Sequence, residues 1–284
     1  VCWQASTDKN TYRAVSASAQ NHKQRLVNTG LFYGWRKVMS YDDRIDDAVR
    51  RLQRELKLAP KHIDGAWGGT SQKALQASGK KLDYNWGVLR DHFGRFTQAQ
   101  VDGFNTLIAA INKRGTDALN PLYAAYTLAT TWHETAAKME AINEYGKGST
   151  RKYGKWYKNS KGVVYGHANH RGDVYLKSQY PHLFWGRGYP QLTWLDNYKK
   201  MGELLGLDLA NNPELALVPA NSAAIMIEGM LLGSFTGLSL SKCMRYGSYG
   251  EFVYSRRIIN GTDRDSLVAR YAVQFLECLT IVDA

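Results

Sequence analysis

The first residues in this chain that could do chemistry lie in Ala129-Thr130-Thr131-Trp132-His133-Glu134-Thr135. An apolar stretch opened by Pro121 carries Leu122, Ala125, Leu128, Ala129 and Trp132 on one face. Proline is tolerated in the first turn of a helix, so Pro121 predicts the start of one. That helix would deliver a His-Glu pair at its C-terminal end. A carboxyl group there meets the negative end of the helix dipole, and Trp132 and the apolar face could desolvate it. Both effects favour the protonated form, which a general acid needs near neutral pH. By this local argument alone, Glu134 is equally well an ordinary solvated glutamate.

Two other acids follow, Glu140 and Glu144. Glycoside hydrolysis with inversion needs a second carboxylate to activate water on the opposite face of the sugar. The two carboxyl groups then stand roughly 6.5–9.5 Å apart. Spacing alone does not choose between Glu140 and Glu144. His133-Glu134 does not begin a zinc-protease HExxH, because Ala137 stands where the second histidine belongs. His167, His170 and Asp173 could hold a metal, but their Gly-rich setting reads better as a surface loop. No metal and no cofactor are expected.

The elements that would position these residues are mostly helical. Ile45, Val49, Leu52 and Leu56 fall near helical spacing, Asp42 and Asp43 suit its start, and Pro60 stops it. The tight turn Ile63-Asp64-Gly65-Ala66-Trp67-Gly68 follows, then a short helix from Thr70, a plausible cap, to Ala77. Residues 79–96 lack a period and read as a linker. Thr97 caps a helix bearing Val101, Phe104, Leu107, Ile108 and Ile111, which Gly115 ends. Further helices are readable near 198–205, 222–232 and 266–279. Strand signals are few, and residues 1–40 give only a weak pattern.

Composition sets outer limits. Hydrophobic residues make up 44% and charged residues 22%, enough for one large domain or two smaller ones. The 8 Trp and 18 Tyr suit sugar stacking and cores alike. The net charge of +12 draws the chain to polyanions, the bacterial envelope among them, without naming one. No zinc-finger spacing, RNA-binding signature or GxxxxGK[ST] loop speaks for nucleic acid. Cys2, Cys243 and Cys278 are expected as free thiols. No apolar run reaches the ~18 residues that span a bilayer, so no stable membrane insertion is expected. The chain begins at Val1, which fits a processed product, a fragment or a trimmed start.

Two resemblances add to this reading. VRRLQRELKL (49–58) with IDGAWGGTSQKALQ (63–76) resembles a small helical peptidoglycan-binding module, with support of the following domain as the alternative. TWHETAAKMEAINEYGKG (131–148), FWGRGYPQLTWLDNY (184–198), NNPELAL (211–217) and RRIINGTDR (256–264) resemble, in order and spacing, the family 19 chitinase and lysozyme-like glycoside hydrolases, and among them phage endolysins. The resemblance runs from near Phe96 to the C-terminus. It implies Glu134 as general acid and Glu144 as general base; the family's second carboxylate aligns with Asn143, one residue before Glu144. It further implies Thr193 beside the attacking water, and Gln191, Asn197, Tyr198 and Asn260 on the substrate side. Gly186, Arg187 and Gly188 could simply shape their turn. Residues 152–184 depart from the compact pattern, and their Trp156, Tyr157, Tyr165 and Tyr175 could extend the cleft or cover the core.

The expected architecture is mainly α: residues 1–40 of unclear role, a module at 41–80, a linker at 81–95, and a bilobal lysozyme-like, family 19 chitinase-like catalytic domain at 96–284. The expected activity is inverting hydrolysis of β-1,4 bonds in peptidoglycan by a monomeric endolysin-type enzyme. It would act on the bacterial wall from the host periplasm, after synthesis in the host cytoplasm or delivery with a virion. A chitinase of the same fold, and a non-catalytic wall-binding or virion structural protein, are the rivals.

Overall fold

The computed structural model describes residues 39–284. The expectations for residues 1–38, including a free Cys2, lie outside the described residues. Residues 41–284 pack as one compact, mainly α-helical unit. The helices are α1 (Tyr41–Glu55), α2 (Gly69–Ala77), α3 (Trp86–Phe93), α4 (Gln98–Arg114), α5 (Pro121–Glu134), α6 (Leu195–Leu205), α7 (Pro219–Leu232), α8 (Leu240–Cys243), α9 (Tyr249–Ser255) and α10 (Asp265–Cys278). No helix among the described residues is long and apolar enough to cross a membrane.

Local chemistry sets the helix ends. Thr97 and Gln100 close a reciprocal capping box at the start of α4, and Gly115, at positive φ, ends it. The Asn120 side chain accepts from Leu122 N ahead of Pro121 at the start of α5. Thr70 does not cap α2; Gly68 stands at that position without a side-chain bond.

The core divides in two. The larger cluster gathers α1 to α5 and α10, with α5 buried along most of its length. Phe93 stacks on Phe275 (4.5 Å between centroids) and leans on Trp132 (5.1 Å), while Phe104 lies parallel to Trp132. The smaller cluster gathers Ala168, Tyr175, Phe184, Leu192, Leu195 and Tyr198 with neighbours from 201–225. Helix α7 serves both, with Ile225 in the smaller core and Met226 and Met230 in the larger.

Two stretches differ from the sequence expectation. Residues 81–95 are not a linker. Strand β1 (Lys80–Tyr84) pairs antiparallel with the C-terminal strand β5 (Leu279–Asp283), and α3 follows. That partner lies at the far end of the chain, so no local pattern announces it. Residues 152–184 form a small antiparallel sheet, β2 (Tyr157–Lys158), β3 (Val164–His167) and β4 (Val174–Leu176), with β3 central.

The 41–80 segment is joined to the rest by polar contacts as well as by the shared core. Arg44 holds both Glu277 oxygens through one guanidinium edge, Nε and Nη2 (2.7 and 2.6 Å), Arg51 Nη2 donates to Leu279 O (2.6 Å), and Ile281 N donates to Glu55 (2.8 Å). The Asp64-Gly65-Ala66-Trp67 turn is built around buried Gln53. Its amide donates to Asp64 Oδ1 and Ala66 O and accepts from Gly65 N. Trp67 is itself core.

Candidate active site

Glu134 is the last residue of α5, and its helix ends in a tight reversal. Ala136, Ala137 and Met139 all adopt positive φ (49°, 65° and 56°), an uncommon conformation for residues with a Cβ. The reversal is held from several sides. Thr135 Oγ1 donates to Thr131 O and accepts from Met139 N, and Gln100 Nε2 donates to Ala137 O. Gly103 on α4 lies so close to the Met139 carbonyl that a Cβ there would overlap it.

The surroundings of Glu134 differ from the apolar pocket the sequence suggested. The guanidinium of Arg256, buried at 2% exposure, donates to Glu134 Oε1 at 2.6 Å, and Glu134 is itself 15% exposed. Arg256 Nε donates to Asp263 O, which fixes the guanidinium plane. Trp132 is buried in the aromatic cluster against Phe104. His133 is held below its ordinary pKa, first by burial and then by the Arg256 charge, with Glu134 opposing. It is a neutral imidazole near neutral pH.

Glu144 is held by a different segment. Its backbone N donates to Gly186 O (2.7 Å), and its Oε2 accepts from Gly186 N (3.0 Å), so main chain and carboxylate are both tied to the Gly186-Arg187-Gly188 loop. Tyr153 Oη donates to the other oxygen, Oε1, at 2.7 Å. Neighbouring Asn143 accepts from Trp185 Nε1 (2.8 Å). Glu140 is exposed and lies toward the Tyr189 hydroxyl, whose pKa is pushed up to about 12 by burial and then by the Glu140 charge.

Arg187 is a structural residue. At 1% exposure it pairs with Glu214, donates to Leu183 O and to Tyr198 Oη, and lies 3.8 Å from the centroid of the Trp185 ring. Tyr198, expected on the substrate wall, is fully buried, and its hydroxyl donates to Trp185 O. It belongs to the smaller core and does not reach the surface.

A depression of about 210 Å3 is lined by His170, Gln191, Thr193, Trp194 and Asn197 together with Phe235 and Ile259. Three expected residues therefore meet there. Gln191 spends its amide nitrogen on Ile142 O and Gly188 O, bracing the segment before Glu144 against the loop. Asn197 donates to Thr193 O. Thr193 is half-buried at the rim, and Asn260 is exposed beside Ile259.

His170 faces the depression, whereas His167 lies in β3 and Asp173 bonds Asn169. Tyr175 is core, with its hydroxyl on His182 O and Trp156 at its edge. Tyr157 and Tyr165 form a half-buried cross-strand pair. Cys243 and Cys278 are buried free thiols, and burial raises the pKa of both.

Arg256 and Tyr153 were not singled out from sequence. Arg256 lies inside the quoted RRIINGTDR stretch, where a charged residue beside an Ile pair was the available signal. Tyr153 carried none.

No family model matches the chain, and no curated protein matches it. Among solved structures it is similar to chitinase C from Streptomyces griseus HUT6037, with TM-score 0.44 and 20% identity over 67% of this chain and 75% of that one. It is also similar to a bacterial family 19 chitinase, with TM-score 0.38 and 19% identity over 67% of this chain and 93% of that one.

Proposed function

We propose that this protein is a glycoside hydrolase of the family 19 type, an endolysin-like enzyme that cuts β-1,4 bonds of peptidoglycan by single displacement with inversion. One observation carries the reading. Two carboxylates are fixed by different segments: Glu134 by the buried guanidinium of Arg256, Glu144 by Gly186 N and Tyr153. A general acid and a general base that act on opposite faces of a sugar must be held apart from each other, and anchoring on separate segments supports that.

In this mechanism Glu134 protonates the leaving glycosidic oxygen. Arg256 occupies Oε1, so Oε2 carries the proton. As the proton leaves, the guanidinium stabilises the developing carboxylate, an electrostatic contribution that grows toward the transition state. Glu144 deprotonates the attacking water. Each carboxylate oxygen has a second lone pair beyond the bond it already accepts. Thr193 holds that water, and Gln191, through its free carbonyl oxygen, Asn197 and Asn260 contact the N-acetyl sugars.

The preference for peptidoglycan rests on the net charge of +12 and on the peptidoglycan-binding-like sequence at 45–76. The test is release of reducing ends from purified sacculi compared with chitin oligomers. Sacculus cleavage supports the reading. Cleavage of chitin alone keeps the glycosidase and overturns the substrate. Mass spectrometry of the reduced products then assigns the bond, MurNAc–GlcNAc or GlcNAc–MurNAc.

A further inference from the structure

Tyr153 lies in the stretch between the acidic segment and the Gly-Arg-Gly motif, outside the motifs that carry the resemblance. Its ring is wedged in place. Gly148 takes positive φ (63°), and the space where its Cβ would be is filled by the Tyr153 ring. Gly154 packs directly on the Gly148 carbonyl, and Arg151 N donates to that carbonyl at 2.7 Å, which closes the 148–154 loop around the tyrosine. On its other side the ring meets Trp194 edge-on, 5.0 Å between centroids. Trp194 itself has φ 72° and directly follows Thr193 at the rim of the depression.

We infer that Tyr153 is the positioning residue of the general base: its phenol holds Glu144 Oε1 while Gly186 N holds Oε2, so that the carboxylate plane is set by two donors from different segments. The inference rests on Glu144 being the base. Burial, and then the bond to Glu144, push the phenol pKa well above its ordinary value, so Tyr153 remains a donor throughout the working range. Its contact with Trp194 also sets the base relative to the Thr193 rim. The small sheet therefore does more than cover the core, because the segment that leads into it delivers this tyrosine.

The test is steady-state kinetics on soluble glycan fragments for Tyr153→Phe, Glu144→Gln and the double variant. Phenylalanine keeps the ring contacts and removes only the donor. We expect kcat to fall about tenfold or more, with KM within about twofold and the melting temperature preserved. The double variant should lose no more than Glu144→Gln alone. Unchanged kcat in Tyr153→Phe beside a crippled Glu144→Gln would overturn the inference and leave the base intact. A further kcat loss in the Glu144→Gln background, or parallel losses in KM and melting temperature, would also overturn it. Wild-type kcat in Glu144→Gln would instead remove the reading beneath it. Should Tyr153→Phe fail to fold, Gly148→Ala displaces the phenol by another route and must lower kcat too.

Discussion

Arg256 Nη1 and Glu134 Oε1 lie 2.6 Å apart, with the guanidinium nearly sealed from solvent at 2% exposure. A buried cation that serves one carboxylate and one carbonyl is an expensive arrangement, and breaking it leaves a charge without its partner. Arg256→Ala should therefore cost about 3 kcal/mol of stability. Arg256→Lys keeps the charge but not the planar fork. It should stay folded and lose about 100-fold in kcat. Denaturant melts together with reducing-end assays separate the two effects.

The reversal after Glu134 offers a second test. Gly103→Ala places a methyl group against the Met139 carbonyl, a backbone atom that cannot swing aside. The expected cost is about 2–3 kcal/mol. Because the displaced turn begins one residue after Glu134, kcat should fall with it. A thermal melt and a rate measurement on the same sample check both.

The docking of α1 concentrates on Glu277, which receives Arg44 on both oxygens and His92 Nε2 at 2.9 Å. Burial works against its charge, but these hydrogen bonds outweigh it and hold its pKa below the ordinary carboxylate value. Such a group stabilises the fold above the ordinary carboxylate pKa, and the contribution is lost as pH falls through the lowered value. Glu277→Gln should thus flatten the acid limb of the stability profile and cost about 2 kcal/mol at neutral pH. Melts across acidic pH measure it.

Much of the helical frame is legible because its signals are local: Thr97 with Gln100, Asn120 with Pro121, and Gly115 each stop or start a helix within a few residues. What failed is non-local. Strand β1 finds its partner at 279–283, so 81–95 looked structureless. Glu134 was legible as a helix-end carboxyl, but its partner Arg256 stands 122 residues away and reverses the expected apolar setting. Tyr198 looked like a cleft residue because motif position says nothing of depth. Arg187 draws its hydroxyl into the smaller core.

Alkaline pH should unfold the protein through its tyrosines. Burial raises Tyr189 to about 12 and holds Tyr84, Tyr126 and Tyr198 well above their ordinary value too. A raised folded pKa gives stability that is intact below about pH 10 and is lost as pH climbs toward the folded values. The part of the tyrosinate absorbance that comes from these buried rings should appear together with loss of helical circular dichroism, above about pH 10.

The central claim is that Glu134 is the proton donor of a wall-cutting glycosidase. The most direct measurement is reducing-end release from purified sacculi by wild type and by folded Glu134→Gln. The account predicts steady release by the wild type and a loss of about 100-fold to 10,000-fold in the variant, with sacculus binding retained. Equal release by both proteins, or no release from sacculi by the wild type, would contradict it.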